Sequence, residues 1–245
     1  MRVSEESKSA VLAAMGANFA IATGKLVAGI MTGSAAMLAE AGHSIADTVN
    51  QVFLLVGINL SASKADASHP YGYGKEAFFW SFLAAIFIFV AGAAFSVFEG
   101  VRTLLQDVAH ERSGHELAIA FGVLGMAFVF ESISFAVAIR SLLVGARKRG
   151  WSIVRYIRRS PDLTTKTVFY EDGAALTGLA LAALGLFLSE VSGSEAWDGV
   201  ASLGIGVVLT IVAFLLGLQA RSLLIGASAS EETLQGIDAT LRAFP

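Results

Sequence analysis

The sequence predicts an all-α membrane protein of six transmembrane helices with both termini cytoplasmic. Three observations carry this expectation. Of the 245 residues, 55% are hydrophobic and mean hydropathy is +0.68, outside the ordinary globular range. Six apolar stretches reach the length of about 20 helical residues that a bilayer core requires. Lysine and arginine concentrate in one set of the loops between them.

The expected spans are 11–31, 36–60, 77–105, 116–144, 167–189 and 199–224. In the first, Asn18 and Lys25 are polar intruders, expected to bond a neighbouring helix or, for Lys25, to snorkel. Small residues at helical spacing, Gly24 with Ala28 and Gly122 with Gly125, predict close helix approach in the first and fourth spans. Tyr71, Tyr73 and Trp80 at the start of the third span read as interfacial aromatics. Glu99 and Glu131 are expected toward span ends, solvated or interfacial.

Between the fourth and fifth spans, "VGARKRGWSIVRYIRRSPDLTTK" carries Arg147, Lys148, Arg149, Arg155, Arg158, Arg159 and Lys166. The next loop, "SEVSGSEAWD", has Glu190, Glu195 and Asp198 and no base. The basic loop is therefore expected inside, and an even number of spans puts both termini with it. On this topology "SKADASHPYGYGK" is cytoplasmic and "QDVAHERSGHE" is outside, its Arg112 matched by acids. After the last span, Ser230 is expected to cap a helix with Leu234, Ile237, Leu241 and Phe244 along one face. Residues 1–226 then form the transmembrane domain, and 227–245 the first helix of a truncated soluble domain, so that the chain reads as a fragment.

With no cysteine, thiolate zinc sites, iron–sulfur clusters and disulfide scaffolds are excluded, and a metal must be held by His, Asp, Glu or other oxygen ligands. A net charge of -3 gives no reason to expect a nucleic-acid partner. The first ten residues lack the apolar region and cleavage site of a secretory signal.

The second span contains "AEAGHSIADTVNQ", residues 39–51. An ionisable group at the bilayer centre costs about 2.5 to 3.5 kcal/mol even on the lenient insertion scale, so such residues usually face a site or pathway. Glu40, His43, Asp47 and Asn50 fall on one helix face, and His43 and Asp47, four apart, can converge on one cation. Imidazole with carboxylate suits zinc, and also accepts cobalt, iron or manganese. Two ligands do not complete a site; Glu171 and Asp172 in the fifth span are the facing candidates, although adjacent residues stand about 100° apart and only one can point squarely across. The alternative is that these polar groups only join helices by hydrogen bonds.

The pattern resembles the cation diffusion facilitators. "AEAGHSIADTVNQ" is similar to that family's second-span His-x-x-x-Asp motif, "SHPYGYGKE" to its second-to-third loop signature, and "WDGVASLGIGVVL" to the start of its last span. "SPDLTTKTVFYEDGAALTG" and "HSIADTVNQ" look most like the branch containing the mitochondrial zinc transporter of animals and its bacterial relatives. The resemblance covers almost the whole chain. It implies a V-shaped homodimer with a cytoplasmic metallochaperone-like α/β domain, of which only the first helix is present here. One position departs: where the family's fifth span offers His-x-x-x-Asp, Asp172 takes the acid's place and Val168 stands four residues earlier. Glu171, a water, or a preference for harder ions would answer the missing imidazole.

The expected activity is that of a secondary transporter, a proton-coupled divalent-cation antiporter exporting Zn2+ from the cytoplasm, with no prosthetic group. His43, Asp47 and Asp172 are the expected metal ligands and Glu171 the fourth. Coupling follows from ligand chemistry, because imidazole and carboxylates must lose protons to bind metal, and a reference His titrates near pH 6.5. Its partners would be the ion, protons, membrane lipid and a second copy, and its location a bacterial inner membrane. The alternatives are selectivity for Mn2+, Fe2+ or Co2+, an intramembrane metal-dependent hydrolase, which lacks a His-Glu-x-x-His motif here, and a non-transporting scaffold.

Overall fold

A computed structural model of the chain describes residues 5–106, 112–159, 163–226 and 231–243, with backbone alone for 5–14, 17, 158, 159, 163, 164 and 231–233. The described residues form α1 (Glu5–Thr32), α2 (Ala35–Ser61), α3 (Glu76–Gln106), α4 (Gly114–Lys148), α5 (Ile153–Arg159), α6 (Leu163–Ser192), α7 (Ala196–Ile225) and α8 (Glu231–Ala243). Six long helices thus stand at the six expected positions. The short α5 within the basic loop was not expected. Ser230 and Phe244, the expected cap and last apolar residue of α8, lie outside the described residues.

Four of the long helices, α3, α4, α6 and α7, are long and apolar enough to cross a membrane. In α2 the polar run from Glu40 to Gln51 lowers that apolarity. α3 is one rod with a π-helical stretch over Ile88–Ala94. Just past it, Ser96 Oγ donates to the Gly92 carbonyl at 2.7 Å, and Ser202 of α7 donates to the Ser96 carbonyl at 2.8 Å. Side chains thereby satisfy backbone groups that a membrane interior would otherwise leave costly.

α2 and α7 pack on each other and each on α3 and α6, around a core of small residues, among them Ala36, Ala39, Ala46, Ala182 and Ala201, with Met37, Ile205 and Leu209. α1 packs on α2 and α4, and α4 packs on α6. Small residues allow the close approach that substitutes for a hydrophobic driving force in lipid. The expected pair Gly24 and Ala28 fits, since Ala28 is fully buried and Gly24 lies against Val123 of α4. Gly122 and Gly125 do not fit. Both are exposed and meet nothing nearby, because the other face of α4, with Ala120, Leu124 and Ala127, is the one turned inward.

One end of the bundle is tied by Arg112. Its Nε donates to the Thr32 carbonyl at 2.7 Å, Nη1 to Ser189 Oγ at 3.3 Å, and Nη2 pairs with Glu195 at 2.7 Å. The acid paired with Arg112 is thus Glu195, from the loop between α6 and α7, rather than one of its own loop. Beside it the buried Asp198 accepts from Ser34 Oγ at 2.6 Å and from the amides of Ala35 and Ala36, capping α2. The hydroxyl and amides that point at it from the α2 N-terminus favour an anion there against the cost of burial. Met37 N completes the cap by donating to Ser34 Oγ at 3.1 Å.

The opposite end collects the 62–75 loop, the basic loop and the end of α7, joined by Lys75 Nζ donating to the Leu224 carbonyl at 3.1 Å. Here the "SHPYGYGKE" stretch folds around Asp66. Its carboxylate accepts from Ser68 Oγ at 2.7 Å, Ser68 N at 2.9 Å, His69 N at 2.7 Å and Tyr73 Oη at 2.8 Å. Of the expected interfacial aromatics, Tyr71 is fully exposed, Tyr73 serves this turn, and Trp80 bonds Glu76 at 3.1 Å. The hydrogen bonds from Ser68, Tyr73 and His69 hold the Asp66 carboxyl well below the usual carboxylate range. A lowered folded pKa contributes stability that is complete above the unfolded value near pH 4 and is lost as pH falls beneath it. Amide exchange in residues 66–73, corrected for intrinsic rate, is therefore expected to be constant between about pH 5 and 7. In Asp66→Asn it should be faster throughout that range; equal protection in the variant would remove Asp66 from this role.

Candidate metal site

α2 presents its polar face to the bundle interior. His43 is 1% exposed, and neither ring nitrogen has a hydrogen-bond partner; Nε2 stands 3.4 Å from Asp47 Oδ2 without hydrogen-bond geometry. Asp47 is half-buried and its Oδ1 is buried and unpartnered. The i, i+4 spacing thus places both side chains together, as the sequence predicts. Across from them on α6, Asp172 Oδ2 is likewise buried and unpartnered, whereas Glu171 Oε1 accepts a short hydrogen bond from Asn50 Nδ2 of α2.

A cavity of about 380 Å3 lies between these helices, lined by Asn50 and Gln51 of α2, Glu131 and Ser134 of α4, and Glu171 and Asp172 of α6. Val168 also lines it, so the position that lacks an imidazole faces the same space. A smaller adjoining pocket is lined by Asp47 and Ser44, and Asn18, Ile21 and Glu131 border both. The larger cavity reaches Thr167 and Ser81, each within two turns of a helix start at the basic end of the bundle. The Arg112 and Asp198 networks occupy the other end.

Among the described residues, no three of His, Asp and Glu stand close enough together to hold one metal ion. His43 and Asp47 form one pair on α2, and Glu171 and Asp172 face them across the cavity as separate donors. Unpartnered buried polar atoms are costly, about 1–3 kcal/mol each, and those of His43, Asp47 and Asp172 make this region the candidate ligand site.

Glu131 is a donor that sequence reasoning set aside. It lies in the middle of α4, not toward its end, half-buried and bordering both pockets within electrostatic reach of Asp47 and Asp172. Its signal was present, since it is the one acid in the fourth apolar stretch away from its ends. Glu99 is also buried, at 7% exposure, with Arg102 at 3.5 Å.

Lys25 takes the first of its two expected roles, a bond to a neighbouring helix. It does not snorkel. It is fully buried, with Nζ 2.8 Å from Glu40 Oε2 and donating to Ser44 Oγ at 2.8 Å. Glu40 thus heads the polar face of α2 as half of an ion pair with α1. Its carboxylate lies directly over Gly178 of α6, where an added Cβ would sit 2.0 Å from Oε1. Only glycine leaves room for that carboxylate, so α6 approaches the pair with bare backbone.

Residues 11–225 match the family described as the cation efflux transmembrane domain. Among curated proteins, "Metal tolerance protein C4" of Arabidopsis thaliana is 36% identical over 97% of this chain and 51% of its own length. "Proton-coupled zinc antiporter SLC30A9, mitochondrial" of Homo sapiens is 35% identical over 90% of this chain and 38% of its own. "Magnetosome protein MamB" of Magnetospira sp. (strain QH-2) is 26% identical over 89% of this chain and 67% of its own. The chain spans about half or less of the length of the first two relatives.

Proposed function

This chain belongs to the cation efflux family of metal transporters, and we propose that within it the protein is a proton-coupled antiporter exporting Zn2+ from the cytoplasm of a bacterial cell across the inner membrane. The observation that carries the reading is the set of unpartnered buried donors of His43 and Asp47 on α2 and Asp172 on α6, the last lining a cavity that extends toward the basic end. Some 35% identity to a protein named as a proton-coupled zinc antiporter supports the coupling and the metal.

In this reading the basic end is cytoplasmic, α1 and α2 complete six spans with their polar groups turned inward, and residues 227–245 begin a further cytoplasmic domain. Zinc reaches the cavity from the cytoplasm and displaces protons from His43, Asp47 and Asp172. Glu171 becomes the fourth ligand by leaving Asn50. Rocking of the helices, with release of the Arg112 ties, then exposes the ion to the outer face, where protons reload the ligands and expel it. A homodimer is the proposed assembly.

One observation favours a second reading of selectivity. Val168 faces the cavity where a second imidazole would stand, and Glu131 adds another carboxylate, so oxygen donors outnumber nitrogen. Such a set suits Mn2+, Fe2+ or Co2+ better than a two-histidine site does.

The test is zinc-driven proton movement in proteoliposomes, read with a pH dye, for wild type, His43→Ala and Asp172→Ala. Flux that requires zinc and vanishes in both variants is expected. Flux with manganese, iron or cobalt alone would move the assignment to the second reading, and flux with no metal would overturn both.

A further inference from the structure

Outside the transport site, one face of α4 ends in a basic notch that neither the proposed activity nor the core requires. Val137, Arg140, Ser141, Val144, Gly145 and Lys148 recur at helical spacing along it, and Arg149 and Tyr156 close it into a cavity of about 590 Å3. The short α5 folds back to form the wall. Tyr156 is buried there, and its hydroxyl occupies the place a side chain at Gly145 would take, 2.3 Å from an added Cβ. Arg149 lies over the rings of Trp151 and Tyr156, at 5.4 and 5.7 Å, which fixes its guanidinium beside the opening.

Among the described residues, the cations of this notch have no acid partner. Arg140, Lys148 and Arg149 make no ion pair among the described residues, in contrast to Lys25, Arg102, Arg112 and Arg242. Their depth matters. α4 is 35 residues long, about 52 Å, so a centred hydrocarbon core of about 30 Å leaves about seven residues beyond it at each end. Arg140 then stands at the hydrocarbon boundary, Lys148 about 12 Å further out, and Val137 inside the apolar layer. An exposed guanidinium at that boundary, with no ion pair among the described residues, is placed to meet an anion at headgroup level.

We propose that this notch binds the phosphate of an anionic phospholipid headgroup, with Arg140, Lys148 and Arg149 around the phosphate and the acyl chain along Val137 and Val144. Free phosphate shares the headgroup's chemistry, but the two exposed valines in line with the cations favour the lipid. Cations at a membrane surface each contribute about a fivefold gain for an anionic lipid, so removing two from the notch costs about 25-fold.

The test uses the full chain in mixed micelles, with native mass spectrometry counting retained phosphatidylglycerol against phosphatidylcholine. Arg140→Gln/Lys148→Gln is compared with Lys64→Gln/Arg147→Gln, which removes the same charge from the same end without touching the notch. The expected result is preferential retention of one phosphatidylglycerol, a loss of about 25-fold in the notch variant and little change in the control. Gly145→Ala, which displaces Tyr156 without altering charge, should also weaken retention. Equal loss in both charge variants would overturn the site in favour of diffuse attraction. Displacement of the lipid by millimolar inorganic phosphate would overturn the lipid assignment in favour of a free-phosphate site. Equal retention of the two lipids in wild type would overturn both.

Discussion

Asp47→Ala is expected to abolish zinc-driven proton flux while leaving the thermal midpoint of the protein unchanged or raised. Loss of a partner outside the ligand shell of a metal already costs about 10–100-fold in affinity, so loss of a ligand should reach at least the upper figure. The stability effect has the opposite sign to that of most buried substitutions. Asp47 Oδ1 is buried without a partner, and Oδ2 meets only His43 at 3.4 Å, outside hydrogen-bond geometry. Removing such a carboxylate relieves a desolvation cost of about 1–3 kcal/mol and orphans no donor. Flux and detergent-solubilised melting would be measured on the same preparation. Wild-type flux would remove Asp47 from the site. Lost flux with a midpoint several degrees lower would make Asp47 a structural residue instead.

Lys25→Met carries the largest expected loss of stability, about 3–5 kcal/mol. The variant leaves the Glu40 carboxylate fully buried over Gly178 with no cation, and Ser44 without its donor. A buried pair differs from a surface pair in this respect, because breaking it strands a desolvated charge, whereas replacing both members is often close to neutral. Lys25→Met/Glu40→Gln should therefore recover more than half of the lost stability. The check is a double-mutant cycle on thermal or denaturant midpoints. Additive losses would mean that the two side chains contribute independently and that the 2.8 Å contact is incidental to folding.

These two residues show where sequence reasoning reached and where it stopped. Asp47 was legible because His43 stands four residues before it in an apolar stretch, and that spacing fixes a shared face through helix geometry alone. The positions of the six long helices were legible for the same kind of reason, since helix length against bilayer thickness is a local, one-dimensional property. Lys25 read as either a helix-bonding or a snorkelling side chain, because its partner lies on another helix, fifteen residues on. Glu131 read as a span-end residue, and only the packing of α4 on α1 and α6 brings it beside Asp47 and Asp172. Gly122 and Gly125 carried the spacing of a packing motif yet face outward, because spacing within one helix does not say which face a neighbour will cover.

Composition, helical periodicity and the placement of charge were enough to establish an all-helical chain with apolar helices of membrane-spanning length and the shared face of His43 and Asp47, because each depends on residues within a few turns of one another. Packing between helices settled the rest: the Lys25–Glu40 ion pair over Gly178, Glu171 held by Asn50, Arg112 tying three helix ends, and two donor pairs kept apart across a cavity. The hydrogen bonds and ion pairs among them join residues 15 to 121 positions apart, and the free energy that selects them comes from pairing buried polar groups across helices, which no local pattern encodes.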